Sequence, residues 1–244
     1  MIIVALDTAT SAVTSGVVEL RDAAPERPVE LAATYTLDAR AHAELLAPQV
    51  LGCLAAAGLS AADIDAVVVG RGPGPFTGLR VGMAFAAGYA DALGVPCRHV
   101  HTHDAIALGA RWELGAGETD APALLVCTDA RRREAYFSRY DAAGQRIEGP
   151  AVRAAAEIEP PAGGGREIAL GDPVRLAELP EGFDVRDDLR AFPQVAALAA
   201  CAAPALLSGA EPEPGEPLYL RRPDAVPPRP QQISPALTGH DDAR

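Results

Sequence analysis

The same order of segments occurs twice in this chain, and that repetition limits its fold more than any single motif does. Near the start, the apolar run Ile2–Leu6 ends at a polar corner, Asp7-Thr8-Ala9-Thr10. Two β-rich segments follow, Ala12–Leu20 and Leu31–Thr36, separated by a Pro-containing loop at Asp22–Pro28. The period then changes. In His42–Ala57, Leu45, Leu46, Val50, Leu51 and Leu54 recur at three- and four-residue steps, which predicts an amphipathic helix ending at Gly58. Ala66–Gly70 reads as a strand buried on both faces. A Gly/Pro loop leads from it into a second helix that runs through Leu93 and stops at Gly94 and Pro96. Cys97–His101 is a further short strand, and Thr102–Leu114 a third helix with Thr102 or Asp104 as its cap.

After a Gly/Glu/Asp-rich break at Gly115–Ala121 the order restarts. Ala123–Cys127 is again an apolar run ending in a polar corner, Thr128-Asp129-Ala130. Glu134–Tyr140 alternates like a half-exposed strand, and Gln145–Val152 follows a turn at Ala143-Gly144. Pro160–Gly165 leads to a strand at Ile168–Gly171, and Val195–Leu207 is another helix. Each half therefore reads β-β-β-α-β-α, the second with eroded helices. Such a duplication describes the α/β actin/Hsp70/sugar-kinase (ASKHA) architecture, two lobes facing each other across a cleft. The expected units are residues 1–104, a smaller lobe at 105–220 whose last helix can pack back on the first, and a tail at 221–244. With Pro at 223, 227, 228, 230 and 235, that tail is expected to be extended or disordered.

Composition removes several function classes. The 244 residues are 49% apolar, enough for one large core or two modest lobes. No run approaches the ~18 apolar residues of a membrane helix. Met1–Asp7 lacks the features of a signal peptide, so a soluble, cytoplasmic protein is expected. Cys53, Cys97, Cys127 and Cys201 lie far apart, without the close pairs of zinc ribbons or thioredoxin-like sites. A net charge of −12 disfavours independent binding to a polyphosphate backbone. All 21 basic residues are arginine, which excludes a P-loop Lys, a Schiff-base Lys and a Ser–Lys dyad.

The strongest local signal is Gly70-Arg71-Gly72-Pro73-Gly74-Pro75-Phe76-Thr77-Gly78-Leu79-Arg80-Val81-Gly82. A strand, a Gly/Pro loop and a helix start can bring backbone N–H groups onto an anion, with Thr77 as helix cap; the same loop can equally be a rigid turn that fixes helix packing. Asp7 and Asp129 hold matching corners, where this architecture keeps a carboxylate for a metal ion or phosphate. Taken singly, each is a turn aspartate. His99, His101 and His103 would share one face if the strand continued through them, but a polar strand end is favoured over a metal site. No Gly-x-Ser-x-Gly elbow, His-Glu-x-x-His pair or Cys/His dyad is legible.

Together, the Asp7-Thr8-Ala9-Thr10 start, His42, the Gly70–Gly82 loop, Asp129-Ala130-Arg131 with Glu134 and Tyr136, and Tyr219-Leu220-Arg221 resemble the TsaB (formerly YeaZ) family, from Met1 to about Arg222. Its paralogue TsaD, the catalytic subunit of tRNA threonylcarbamoylation, carries a His-x-x-x-His pair for the active-site metal at its third helix. Thr102 and Ile106 stand at those positions here. Of the second half's nucleotide-binding Gly-Gly loop only Leu170-Gly171-Asp172 remains.

The resemblance implies a non-catalytic subunit with no cofactor and no metal. It would dock a TsaD-like catalytic subunit, be joined by a TsaE-like ATPase, and meet tRNA only indirectly through the complex. A homodimer in isolation is also expected. The implied interface is the first two helices, through His42, Leu45, Leu46, Leu79, Gly82, Met83, Ala86 and Tyr89. A vestigial nucleotide or anion cleft would comprise Asp7, Thr8, Gly72, Gly74, Thr77 and Asp129. Arg131-Arg132-Arg133 is read as a solvated turn pairing with acidic neighbours, in preference to a tRNA contact. The alternatives are an autonomous ATP-dependent phosphotransferase using Asp7 and the glycine loop and, behind it, a glycoprotease-like metallopeptidase.

Overall fold

Strand β1 (Ile2–Asp7) is apolar up to its last residue and is buried beyond Ile2, so it can only sit in the middle of a sheet covered on both faces. It pairs antiparallel with β2 (Ala12–Glu19) and parallel with β4 (Ala66–Gly70). With β3 (Val29–Leu37) and β5 (Cys97–Val100) the order is β3-β2-β1-β4-β5. The second sheet repeats this plan with β6 (Ala123–Asp129) at its centre: β7 (Glu134–Tyr140) and β8 (Arg146–Ala154) on one side, β9 (Glu167–Gly171) and β10 (Asp184–Val185) on the other. The duplicated α/β ASKHA topology expected from the sequence is therefore the topology observed. The computed structural model describes residues 1–115, 121–161, 166–211 and 214–221. The Pro-rich tail beyond Arg221 and the middle of the break at Gly115–Ala121 lie outside them.

Helices α1 (His42–Ala56) and α2 (Phe76–Leu93) cover one face of the first sheet, where Leu46, Val50, Leu79, Met83 and Ala86 meet Val4, Leu6, Val67 and Val69. The other face is covered by α5 (Val195–Leu207), whose Val195, Leu198, Ala199 and Ala202 pack on Ile3, Ala5 and Val68. The last helix of the chain thus closes the core of the first lobe. Between the lobes lies α3 (Thr102–Glu113): Ala105 joins that same core, while Ile106, Ala107 and Ala110 contact Leu124, Val126 and Leu170 of the second sheet. In the second half, a single 3-10 turn at Ala155–Glu157 stands where the first half has α1, and α4 (Pro173–Leu176) is one turn capped by Asp172. These are the eroded helices.

Three local expectations differ. β7 is mostly buried instead of half-exposed, because Ala135 and Phe137 enter one core and Tyr140 another. The N-cap of α3 is His101, without a side-chain cap, since the Thr102 hydroxyl is engaged elsewhere. The N-cap of α2 is Pro75, and Thr77 lies inside the helix. Among the described residues no helix is long and apolar enough to cross a membrane.

Candidate functional site

The corner after β1 is filled by the protein itself. Asp7 is fully buried; its Oδ2 accepts the Thr102 hydroxyl at 2.6 Å and its Oδ1 the Ala9 amide at 2.8 Å. Burial pushes its carboxyl up to about 6, against the lowering effect of these donors. A Cβ on Gly70 would lie 1.7 Å from Asp7 Oδ2, and one on Gly74 would lie 2.1 Å from the Ala9 carbonyl oxygen. Both positions need glycine because backbone or carboxylate already occupies the space. Thr8 Oγ1 donates to the Gly78 carbonyl at 2.6 Å and accepts the Gly82 amide at 3.0 Å, tying α2 to the same corner. Asp7, Thr8, Gly72 and Gly74, expected to face the cleft, are instead buried behind its wall, where the loop serves close packing.

Thr102 and Ile106 are both buried, the first held between Asp7 and the Gly72 amide, the second among Leu124 and Leu170. The three histidines do not share a face, because the strand stops at Val100. His99 stays on β5, His101 Nε2 lies 3.0 Å from an Arg71 nitrogen, and His103 sits in α3 between Ser138 Oγ at 2.8 Å and Thr128 Oγ1 at 2.9 Å. Burial lowers His103 to about 3, so it is a neutral bridge from α3 to β6 and β7. Among the described residues no three His, Cys, Asp or Glu side chains are grouped to hold a metal ion.

One neighbour pair went unseen in the sequence. Cys97 Sγ is 3.9 Å from His99 Nε2, and the signal was their i, i+2 spacing on one strand. Burial raises the thiol to about 11 and, with Arg71 nearby, lowers the imidazole. Both shifts oppose a thiolate–imidazolium pair, so this is not a poised nucleophile.

A cleft of about 640 Å³ does open between the lobes. Thr10, Ser11, Leu37, His42 and Pro75–Gly78 line one wall; Thr128, Asp129, Arg131, Asp172 and Pro173 line the other. Of the expected cleft residues, Thr77 and Asp129 are on this surface. Asp129 accepts the Arg131 amide at 3.0 Å and stands 3.5 Å from the Arg175 guanidinium. The backbone of Arg131, Arg132 and Arg133 is left-handed throughout, forming a tight turn that sets Arg131 Nε 3.7 Å from Asp129 and Arg133 Nε 3.9 Å from Glu178.

Most of the residues expected at an interface on α1 and α2 are buried within the lobe. Leu46, Leu79, Met83 and Ala86 belong to the lobe's own core, and Gly82 and His42 are buried as well; only Leu45 and Tyr89 are partly open. Facing solvent instead are Pro48, Leu51 (61% exposed), Gly52 and Ala55 of α1, with Arg80, Ala84, Ala87 and Gly88 of α2. The Phe85 and Tyr89 rings stack beside them at 5.5 Å. Nothing stands within 4 Å of a Cβ added at Gly52 or Gly88.

The segment 214–221 then crosses from lobe to lobe. The Leu218 amide donates to the Arg71 carbonyl at 3.0 Å, and the Tyr219 ring packs on Phe76 with 5.0 Å between centroids. Arg221 donates to the Ala130 carbonyl at 2.7 Å and pairs with Glu134 at 2.8 Å.

Residues 36–184 match the family described as TsaD: tRNA N6-adenosine threonylcarbamoyltransferase. An uncharacterized protein of Mycobacterium tuberculosis (strain ATCC 25618 / H37Rv) is 47% identical over 225 residues, 92% of this chain and 94% of that one. The tRNA threonylcarbamoyladenosine biosynthesis protein TsaB of Escherichia coli (strain K12) is 37% identical over 108 residues, 44% of this chain and 45% of its own length. The solved structure of YeaZ from Pseudomonas aeruginosa superposes with a TM-score of 0.72 at 27% identity, covering 90% of this chain and 99% of that one. Duplicated topology, corner motifs and these likenesses converge: the chain belongs to the TsaB (YeaZ) family of tRNA threonylcarbamoyladenosine biosynthesis.

Proposed function

We propose that this protein is a non-catalytic subunit that docks and supports a TsaD-like transferase through the outward faces of α1 and α2, with a TsaE-like ATPase completing the assembly in the cytoplasm. The observation that carries the reading is the exposed stripe of Pro48, Leu51, Gly52, Ala55, Ala84 and Gly88, small and apolar along two adjacent helices. Small residues let a partner helix approach closely, and a bare leucine gains most from being covered. Thr102 and Ile106 support the non-catalytic part, since neither a hydroxyl already bonded to Asp7 nor a butyl side chain coordinates a metal as imidazole does. The same stripe would seat a second copy of the chain when the partner is absent, and tRNA would be met only through the assembly.

The test is reconstitution. The purified chain alone should give negligible threonylcarbamoyl transfer, and mixing it with a TsaD-like subunit and a TsaE-like ATPase should restore modification of tRNA. Leu51→Arg should abolish co-elution with the TsaD-like subunit while leaving the fold intact. Full transfer by the isolated chain, or unaltered assembly in Leu51→Arg, would refute the proposal.

A further inference from the structure

We infer that Arg80 is the electrostatic anchor of the docking stripe: its guanidinium receives a carboxylate from a helix of the TsaD-like partner, with Asp91 as the opposite pole. The inference rests on the docking reading above and names the chemistry the partner must present there. Arg80, Ala84, Ala87, Gly88 and Asp91 all face solvent on α2. Their spacing of four, three, one and three residues is that of one helix face. Small residues fill the middle of this face. A cation and an anion stand at its ends, about 16 Å apart along the axis.

The guanidinium is held in place before any partner arrives. Its carbon lies 3.8 Å from the centroid of the Phe76 ring and 5.6 Å from that of Tyr219, and its Nε donates to the Tyr219 hydroxyl at 2.6 Å. Capturing a free surface arginine costs rotamer freedom; here the two rings have already removed much of it. Only Nε is engaged, so the two terminal nitrogens are left for a two-point bond to a carboxylate. Among the described residues Arg80 forms no ion pair, although the chain carries 33 acidic residues against 21 basic ones. Phe76 and Tyr219 are both about two-fifths exposed and can shield such a pair from water once a partner covers them.

Stability of the helix itself does not account for this arrangement. The N-terminal end of a helix favours acids and the C-terminal end favours bases. Helix α2 has no acid in its first turn and no base in its last; Arg80 directly follows the first turn and Asp91 sits in the last. Both charges therefore stand toward the wrong pole of their own helix. An outside helix with a carboxylate against Arg80 and a basic side chain against Asp91 relieves both. Residues 36–184, the span shared with the TsaD family, contain α1 and α2 whole, so a TsaD-like subunit has a related helix pair to offer.

The experiment is calorimetric titration of the full chain with a TsaD-like subunit at low and high salt. Arg80→Met keeps a side chain that packs on the two rings but removes the charge and the fork. It should weaken association by about tenfold or more and flatten its salt dependence, with little change in urea denaturation. Arg80→Lys, a charge without the fork, should fall between. Among single replacements of acidic residues on the partner's helices, one should cost nothing further once Arg80 is methionine. Parent affinity in the folded Arg80→Met variant, or additive losses for every partner carboxylate, would overturn the inference. If Leu51→Arg blocks assembly and Arg80→Met does not, the docking reading stands and the anchor falls. Sedimentation of the chain alone tests a second copy as occupant. Arg80→Glu that breaks a dimer, and Asp91→Arg that restores it in the double variant, would overturn the inference if partner affinity is unaltered.

Discussion

Thr102 Oγ1 donates to Asp7 Oδ2 at 2.6 Å, joining the end of β1 to the start of α3 across 95 residues of sequence. The same oxygen accepts the Gly72 amide at 3.2 Å, so one hydroxyl also pins the glycine loop. The Thr102 side chain is thereby a structural peg.

Replacing Thr102 by valine keeps the volume and removes both bonds. Two buried groups, the Asp7 carboxylate and the Gly72 amide, would lose a partner, each at about 1–3 kcal/mol. Urea denaturation should show Thr102→Val clearly destabilised and Thr102→Ser close to the parent. A valine variant as stable as the parent would show that the peg is dispensable.

The pH dependence of stability carries a signature of the same corner. The Asp7 carboxyl is raised from 3.8 to about 6, so its contribution is fully present below 3.8 and lost as pH rises through 6. His103, lowered from 6.5 to about 3, does the opposite: its contribution is present above 6.5 and lost as pH falls toward 3. The two trends oppose each other between pH 4 and 6. Asp7→Asn removes the first, so the variant should gain on the parent between pH 4 and 7, by at most about 3 kcal/mol. Denaturant midpoints at those two pH values check it, and an unchanged difference would place the Asp7 carboxyl in its ordinary range.

Why the topology was legible and the surfaces were not follows from what each pattern encodes. The two apolar runs that end in Asp7 and Asp129, and the switch from strand to helix period at His42, are set by burial, and burial is what hydrophobic periodicity reports. The same periodicity picked out core residues as the expected interface: Leu46, Leu79 and Met83 are periodic because they are the inner stripe. The outward stripe of Pro48, Gly52, Ala84 and Gly88 carries little hydrophobic signal. A glycine loop has the same composition whether its missing Cβ atoms admit a phosphate or a neighbouring backbone, and only coordinates show Gly74 against Ala9. His103 lies in the third helix, as expected, but only coordinates show its ring buried between Ser138 and Thr128.

Two leucines on α1 separate folding from docking. Leu46 is 1% exposed in the core, and Leu46→Ala should lower stability by about 2–5 kcal/mol. Leu51 is 61% exposed, and Leu51→Ala should change stability by less than about 0.5 kcal/mol. If the outward stripe is the contact, the Leu51 variant should nevertheless weaken association with a TsaD-like subunit by tenfold or so, a fair value for uncovering one buried side chain. Calorimetric titration against denaturation curves of both variants resolves the two effects; equal weakening by both, or by Leu46→Ala alone, would move the interface inward.

The crossing made by Tyr219 and Arg221 should control how firmly the lobes are held. Arg221 reaches the Ala130 carbonyl and Glu134 together, both in the β6–β7 turn, while the Tyr219 hydroxyl accepts from Arg80 Nε at 2.6 Å on α2. A partly exposed ion pair contributes little by itself, so the carbonyl bond and the anchoring of the segment carry the effect. Arg221→Ala should speed amide hydrogen exchange at Ala130 and Glu134, whose amides close that turn, and also along the first turn of α2. Arg221→Lys supplies a charge for Glu134 but not the planar fork that serves two acceptors at once, and should give an intermediate result. Faster exchange confined to residues 214–221 in Arg221→Ala would show that the segment lies on the lobes without restraining them.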